Sequence, residues 1–300
     1  MDFCLIFVPF GQYDEPEILP YENPSICPRG ADVRHVTQST LSASIKELES
    51  LLGEVLIERT RRMVMPTPLG LTVVDRARKV LTGAEEIVDM VAAAGVPLSG
   101  SLRLGVIPTI APFLLPRVLP ALRRDHTGLQ LYLREDTSAR LVAALKGGEL
   151  DLALLAFPYD LEGLESEIFA EDPFQVALPG RHELAGRRRL RGRDLIGQEL
   201  LLLEEGHCLR DQIIAAGVAA PAGQFQASSL HTIVQMVDSG LGLTLLPEMA
   251  VAAGLTRGTE IEMRPLQGAA FRRHIGFAWR PSSPRRADFV LLSEYFRLLS

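Results

Sequence analysis

The stretch Leu200-Leu201-Leu202-Leu203-Glu204-Glu205-Gly206-His207-Cys208-Leu209-Arg210-Asp211-Gln212 decides how the second half of this chain is interpreted. Its apolar start predicts a buried strand, and the residues after it, up to Gly217, predict a short helix that a glycine ends. Cys208 therefore falls at a strand-to-helix turn, near the positive end of the helix dipole. His207 and Arg210 add positive charge, and such surroundings lower a thiol pKa. The pattern predicts a reactive thiolate, with a buried inert cysteine as the alternative.

Length and composition narrow the class of protein. The chain has 300 residues, of which 47% are hydrophobic and 23% charged, as in an ordinary globular protein of about two domains. No window reaches the ~18 apolar residues of a membrane span, and the start does not resemble a signal peptide. The 3 cysteines are too few and too far apart for a disulfide framework, so we expect a cytoplasmic protein. Without a phosphate-binding glycine loop or metal-ligand spacing, we expect neither cofactor nor metal.

Charge is distributed unevenly along the chain. The net charge is −6, yet the segment from Arg29 to Lys79 carries nine Lys/Arg against six Asp/Glu. A basic segment on an acidic body suits a protein with one nucleic-acid-binding face. Residues 1–35 are interrupted by five prolines, so no helical period survives there, and we predict loop or disorder.

Residues 37–53 predict an amphipathic helix. Leu41, Ile45, Leu48 and Leu52 recur on one face, and Gly53 ends the pattern. The opposite face carries short hydrogen-bonding side chains and one lysine, which suit a helix that reads bases in the major groove of double-stranded DNA. A plain solvent-exposed face is the alternative. The candidate DNA-binding residues of this helix are Gln38, Ser39, Thr40, Ser42 and Lys46.

A wing and a long helix are predicted to follow. Arg59, Arg61 and Arg62 precede the alternating Met63-Val64-Met65, which predicts a two-stranded wing whose arginines contact phosphate. Thr67 and Pro68 then have the residue types of a helix start. Apolar residues continue at spacings of 4, 3, 4, 3 and 4, which indicates a coiled-coil dimer helix, with a core helix as the alternative. These seam positions are Val73, Ala77, Val80, Ala84, Ile87 and Val91.

From Ser101 onward, predicted strands alternate with predicted helices, which indicates a parallel sheet with right-handed crossovers. A second lobe is predicted to begin near Asp172. The predicted strands are 102–107, 129–134, 150–156, 175–178, 200–203, 243–246 and 275–279. The predicted helices are 111–124, 139–146 and 287–299, with two more after Cys208 and Ser229.

Gly206-His207-Cys208-Leu209-Arg210-Asp211-Gln212 resembles the peroxidatic-cysteine motif of the OxyR-type peroxide sensors, a branch of the LysR-type transcriptional regulators. Residues 37–60 are similar to that family's recognition helix, and the resemblance runs from about Val36 to the C-terminus. It implies a mixed fold: a winged helix-turn-helix whose first helix is missing, a linker helix, and an α/β two-lobed effector domain like the periplasmic binding proteins. The implied segments are 1–35 (anomalous), 36–67 (winged helix-turn-helix), 68–95 (dimerisation helix) and 100–300 (effector domain, lobes 100–171 with 272–300, and 172–271).

The resemblance also implies roles for individual residues. Cys208 is the redox-sensing thiol, supported by His207, Arg210 and Asp211. A threonine hydroxyl that binds peroxide or a water molecule corresponds to Thr109, for which a helix cap is the other interpretation. The second hydroxyl falls on Ser138, next to Thr137, and an arginine near the thiol on Arg280, whose alternative is an ordinary surface arginine. Such donors stabilise the leaving oxygen as the O–O bond breaks.

The chain departs from the resemblance in two places, the anomalous residues 1–35 and the position of a second cysteine. The peroxide sensors carry a resolving cysteine nine residues after the first, but position 217 is glycine and no cysteine follows Cys208. The family's disulfide is therefore not available. We expect Cys208 to oxidise to a sulfenic acid or to a mixed disulfide with a small thiol.

The resulting expectation is a cytoplasmic transcriptional activator of oxidative-stress genes, not an enzyme. It binds promoter DNA, senses hydrogen peroxide, and assembles as a homodimer or homotetramer, with RNA polymerase as a further partner. Three different functions would suit the same residues. The first is a regulator with a small-molecule effector and a structural Cys208. The second is a thiol peroxidase that uses Cys208, and the third is a solute-binding protein of the same two-lobed fold.

Overall fold

The computed structural model describes residues 38–59, 64–92, 96–218, 226–268 and 270–299. The chain divides into two compact units, Met1–Ile87 and Val88–Ser300. Several predicted features lie outside the described residues: the segment 1–35, Arg61, Arg62, and the side chains of Gln38, Ser39, Thr40 and Arg59.

The first described element is helix α1, Gln38–Leu52, which confirms the predicted amphipathic helix. Gly53 follows it at φ +73°, in the left-handed region where glycine costs least, and ends the helix as predicted. Ser42 is half-buried and Lys46 is exposed on this helix.

The wing is a two-stranded antiparallel sheet of β1, Ile57–Arg59, and β2, Val64–Pro66. A side chain of α1 fixes where it starts: Glu49 Oε1 accepts from Leu56 N at 2.8 Å and from Ile57 N at 3.0 Å. A charged acceptor for two main-chain N–H groups strengthens both hydrogen bonds, so the helix and the wing hold each other in place.

Helix α2, Pro68–Ala92, is the long helix predicted from the heptad-like spacing. Gly70 N donates to Thr67 Oγ1 at 2.9 Å, which caps the helix, and Pro68 occupies the first helical position, where its missing N–H costs nothing. Val80 and Ile87 are 68% and 62% exposed. Within the described chain these two seam residues are therefore not part of a core, which favours a partner helix over the core-helix alternative.

The second unit is built on an eight-stranded sheet. Its strands are β3 Gly100–Val106, β4 Leu129–Glu135, β5 Leu152–Phe157, β6 Glu165–Pro179, β7 Leu190–Arg191, β10 Thr244–Pro247, β11 Ile261–Gln267 and β12 Arg272–Trp279; β8 Leu202–Leu203 and β9 Gln226–Ala227 form a separate pair. The order is β4-β3-β5-β12-β6-β11-β7, with β10 also paired to β6. β3 is parallel to β4 and β5, as predicted. The expectation of a parallel sheet throughout is wrong, because β12 runs antiparallel to both β5 and β6.

Helices flank these strands. They are α3 Ala111–Asp125, α4 Ser138–Lys146, α5 Cys208–Ala215, α6 Leu230–Asp238, α7 Glu248–Ala252 and α8 Arg286–Leu299. All except α7 match predicted helices. Along the described residues, no helix combines the length and the apolar character needed to cross a bilayer.

Two hydrophobic cores lie along the long strand β6. Its first part pairs with β12, and its last part, from Phe174 to Pro179, pairs with β10 and β11. One core is built around β3, β5 and β12, and the other around β8, β10 and α6. Strand β6 runs from the first core to the second, and β12 runs from the second core back to the first. The two strands therefore run in opposite directions. Cys208 belongs to the first core, whereas Leu209 and Ile213 of the same helix belong to the second.

Candidate functional site

The turn between β8 and α5 places Cys208. Gly206 adopts φ +92°, which a residue with a side chain rarely adopts, and this lets the chain reverse between the buried strand and the helix. His207 is the N-cap, and Cys208 is the first helical residue. The Cys208 side chain points into the first core and is 5% exposed.

A narrow pocket surrounds the thiol where three strand-to-helix turns meet. They are the turns from β3 to α3, from β4 to α4 and from β8 to α5. The predicted hydroxyl residues Thr109 and Ser138 both line this pocket with Cys208. Its walls are packed closely enough to leave no room for a free water molecule. The lining residues are Ile107, Pro108, Thr109, Thr137, Ser138, Gly206, His207 and Cys208.

Ser138 is the first residue of α4 and is 2% exposed. Its Oγ is buried and has no hydrogen-bond partner in the described part of the chain. A hydrogen bond from this hydroxyl to the ionised sulfur lowers the pKa of Cys208. An anionic sulfur is a much better acceptor than a neutral thiol. The Ser138 hydroxyl therefore forms a strong hydrogen bond only when negative charge develops on the sulfur.

Arg273 is the buried cation of the site, and no sequence pattern singled it out. It is fully buried on β12, where Nη1 donates to Thr109 Oγ1 at 2.8 Å and Nη2 donates to Thr109 O at 3.0 Å. Its Nε donates to Asp172 Oδ2 at 2.9 Å. The other oxygen of that carboxylate accepts from Met249 N, at the start of α7, at 2.9 Å. Arg273 thus connects the turn that carries Thr109 to the second core through Asp172.

The expected low pKa of the thiol is wrong. Burial raises the pKa of Cys208. The Ser138 hydroxyl, the Arg273 charge and the Leu209 backbone N–H at the helix start lower it, and the Asp211 carboxylate raises it. The free energy lost when the thiolate is removed from water is larger than the stabilisation that these donors provide, because the ionised sulfur loses its solvation.

The residues predicted to support the thiol do not all lie beside it. His207 is buried in the pocket lining, and Asp211 is exposed. Arg210 Nη1 donates to Leu203 O at 3.2 Å, so it braces the preceding strand. Arg280 does not lie beside the thiol as expected. Its Nη1 donates to the carbonyl oxygens of Leu145 and Leu150, at the far end of α4, about 10 Å along that helix from Ser138.

A larger cavity of about 260 Å³ lies next to the thiol pocket. Thr109 borders both, and the rings of Phe113 and His231 stack with centroids 6.1 Å apart across the larger cavity. Its lining is Pro108, Thr109, Pro112, Phe113, Glu135, Leu203, Ser228, Ser229, Leu230 and His231. Among the described residues, no cluster of three or more His, Cys, Asp or Glu could hold a metal ion.

Comparison with known proteins supports the resemblance to the LysR-type regulators over nearly the whole chain. Residues 96–298 match the LysR substrate binding domain. Residues 28–71 match the bacterial regulatory helix-turn-helix protein family of LysR type, so this likeness begins before the predicted start at Val36. The DNA-binding transcriptional dual regulator OxyR of Escherichia coli is 39% identical over 272 residues, which are 90% of this chain and 89% of that protein.

Solved structures extend the comparison. Full-length OxyR from Pseudomonas aeruginosa, with a cysteine-to-aspartate substitution, matches with a TM-score of 0.73 and 36% identity, covering 89% of this chain and 90% of that one. A hydrogen peroxide-bound cysteine-to-serine variant of Corynebacterium glutamicum OxyR matches with a TM-score of 0.67 and 33% identity, covering 88% and 84%. The chain therefore belongs to the LysR family of transcriptional regulators, in its OxyR branch.

Proposed function

We propose that this chain is a DNA-binding transcriptional regulator that hydrogen peroxide switches through Cys208. The observation that carries the proposal is the meeting of three turns around a single thiol. The Ser138 hydroxyl acts on the sulfur, and Thr109, which Arg273 holds from behind, lies in the same pocket wall. A relative from Dickeya chrysanthemi, 39% identical over 90% of this chain, supports it by its name, hydrogen peroxide-inducible genes activator. The peroxide-bound Corynebacterium structure shows that a chain of this fold holds the oxidant.

The chemistry follows from the groups at the sulfur. The thiolate attacks one peroxide oxygen, so that an S–O bond forms as the O–O bond breaks. The departing oxygen leaves as hydroxide and takes a proton to become water. Hydroxyl donors stabilise the charge that develops on the two oxygens. Ser138 is placed for one of them, and Thr109, whose Oγ1 already accepts from Arg273, keeps its own proton to donate to the other.

The same geometry argues against catalytic turnover. A thiol peroxidase must admit to its sulfur, in every cycle, a reductant much larger than hydrogen peroxide, but Cys208 is 5% exposed and its pocket is narrow. Burial also raises the pKa of Cys208, which keeps the thiolate fraction small at neutral pH. We propose a stoichiometric sensor rather than an enzyme.

The first unit supplies the proposed DNA-binding surface. In this proposal α1 lies in the major groove and the wing contacts the phosphates of promoter DNA in the cytoplasm. The exposed seam on α2 pairs with a second copy, which gives a dimer that assembles into a tetramer. The proposed DNA contacts are Gln38, Ser39, Thr40, Ser42, Lys46, Arg59, Arg61 and Arg62.

The test is promoter-DNA binding by reduced and by peroxide-treated protein, with Cys208→Ser as the matched control. We expect peroxide to change the affinity or the footprint of the native chain and to leave the Cys208→Ser chain unchanged. An identical response in both chains would remove Cys208 from the mechanism. No response in either would leave a family regulator that senses something else.

A small-molecule effector is the second candidate signal for this regulator. The 260 Å³ cavity is the observation that supports it. Its lining combines apolar side chains with polar ones, Thr109, Glu135, Ser228, Ser229 and His231, which could orient a small polar ligand. A ligand-dependent rise in the unfolding temperature, seen equally in Cys208→Ser, would identify this second input.

A further inference from the structure

The oxidised form of Cys208 has no partner thiol within reach along its own helix. The position nine residues later is Gly217, and no cysteine follows Cys208 in the sequence.

We infer that this chain keeps a sulfenic acid on Cys208 as its oxidised signalling state, held by the Ser138 hydroxyl and signalled by the volume of the added oxygen. The inference rests on the proposed function. It concerns what the oxidised sulfur becomes rather than whether peroxide reacts with it.

The redox step is balanced by peroxide alone. The Cys208 thiol and hydrogen peroxide give the sulfenic acid and one water molecule. The sulfur loses two electrons, the two peroxide oxygens gain them, and the thiol proton leaves with the water. No disulfide, second thiol or metal is needed.

Ser138 supplies a hydrogen bond to the product. Its Oγ is buried, has no partner among the described residues, and faces the sulfur closely enough to act on its ionisation. Ser138 is therefore a donor that the new oxygen can engage without breaking an existing bond. Without it, the oxygen of the buried sulfenic acid would lose a hydrogen-bond partner, which is costly away from water.

Burial protects the product from one of its two usual fates. A sulfenic acid is lost to a thiol, which forms a mixed disulfide, or to more peroxide, which forms a sulfinic acid. A small thiol is much bulkier than peroxide, and it must reach a sulfur that is 5% exposed in a closely packed pocket. Peroxide can enter, as the proposed function requires, so the second route is limited by the amount of peroxide rather than by burial.

The added oxygen also explains how the signal leaves the pocket. An oxygen atom is about as large as a water molecule, for which the lining has no space. On one side the pocket wall is braced, because Arg273 bonds Thr109 twice and Asp172 once. The start of α5 is held less tightly, since the N-cap His207 makes no side-chain capping bond. The bonds from Arg210 to Leu203 O and from Gln212 to Ala156 O, at 3.2 and 3.3 Å, are longer than those of Arg273. The displaced element is therefore α5, whose Leu209 and Ile213 carry the movement into the second core.

The experiment uses the full chain with Cys4→Ser and Cys27→Ser, so that Cys208 is the only thiol. The protein is treated with one equivalent of peroxide, then with an excess of a small thiol, and its intact mass is followed with time. The urea-unfolded chain, oxidised in parallel, gives the lifetime of an unprotected sulfenic acid. We expect a gain of one oxygen atom on Cys208, which a sulfenic-acid-specific carbon nucleophile traps after unfolding. The gain should persist at least tenfold longer in the folded chain.

Ser138→Ala tests the hydrogen bond, with Ser293→Ala as its control. Ser293 is also fully buried, but its Oγ donates to Phe289 O within α8, away from the thiol. Leaving the buried oxygen of the sulfenic acid without its hydrogen-bond donor predicts about a tenfold loss of lifetime for Ser138→Ala. Ser293→Ala should keep the full lifetime.

The remaining outcomes separate the inference from the proposed function. An unchanged mass at Cys208 would overturn the proposed function itself. Oxidation followed by a thiol adduct or a second oxygen as fast as in the unfolded chain would overturn this inference and leave the proposed function standing. A long-lived product in the native chain that disappears when Cys4 and Cys27 are replaced would show a disulfide instead, and would also overturn it.

Discussion

Replacing Arg273 by glutamine should destabilise the second unit strongly. The guanidinium is fully buried, and it bonds a carboxylate, Asp172, whose side chain is 3% exposed. Removing the cation leaves a buried carboxylate whose remaining partner is one backbone donor, Met249 N. Breaking a buried ion pair from one side costs about 3–5 kcal/mol, because the surviving charge has lost its counter-charge and is still out of water.

The neighbouring arginine is a matched control. Arg272 precedes Arg273 on β12, but its side chain is 40% exposed and pairs with Glu171, which is 47% exposed. Exposed pairs contribute about 0–1 kcal/mol, so Arg272→Gln should lower the unfolding free energy by no more than that. One position along a strand changes the face on which a side chain lies, and here it changes the expected cost several-fold.

The assay is urea unfolding followed by the fluorescence of the single tryptophan, Trp279, which is buried on the same strand. The double variant Asp172→Asn with Arg273→Gln removes both charges and should recover much of the loss, with a coupling energy well above zero. Equal losses for Arg272→Gln and Arg273→Gln, or a loss below about 1 kcal/mol for Arg273→Gln, would refute the reasoning.

Two further predictions concern the thiol and the linker helix. Because burial raises the pKa of Cys208, its oxidation rate should keep rising with pH beyond the ordinary thiol range, and a rate plateau near neutrality would contradict this. The same raised pKa makes a stability contribution that is present below the pKa of the unfolded thiol and is lost as pH rises through the folded one, so Cys208→Ser should weaken the alkaline fall in unfolding free energy. Val80→Glu with Ile87→Glu should produce monomers at micromolar concentration with an unchanged circular dichroism spectrum, because both side chains are exposed in the single chain; dimers of normal affinity in sedimentation would show that α2 is not the dimer seam.

The secondary structure was largely predictable because it depends on local patterns. The amphipathic period of α1, the alternating wing and the cap at Thr67 each reflect residues a few positions apart. Strand β11 was not predicted, because Glu262, Arg264 and Pro265 give it the composition of a loop. It is a strand because β6 supplies its hydrogen-bond partners from far away in sequence.

The site was predictable only in part. The motif around Cys208 and its resemblance to the peroxide sensors identified the thiol, and the same resemblance pointed to Thr109 and Ser138, which the structure brings into one pocket. The resemblance pointed to Arg280 and not to Arg273, because nothing local in the sequence marks Arg273 as the buried cation. The difference appears only when β12 pairs with β6 and places Arg273 opposite Asp172.

The sequence by itself determined the family, most of the elements, the candidate redox thiol and the missing second cysteine, because each depends on residue types at short range. Tertiary structure alone decided how acidic that sulfur is. A helix start and flanking cations favour the thiolate locally, but the pKa also depends on how much water reaches the sulfur. That access is set by turns far away in sequence, at Thr109 and Ser138, which close over Cys208 and exclude the solvent.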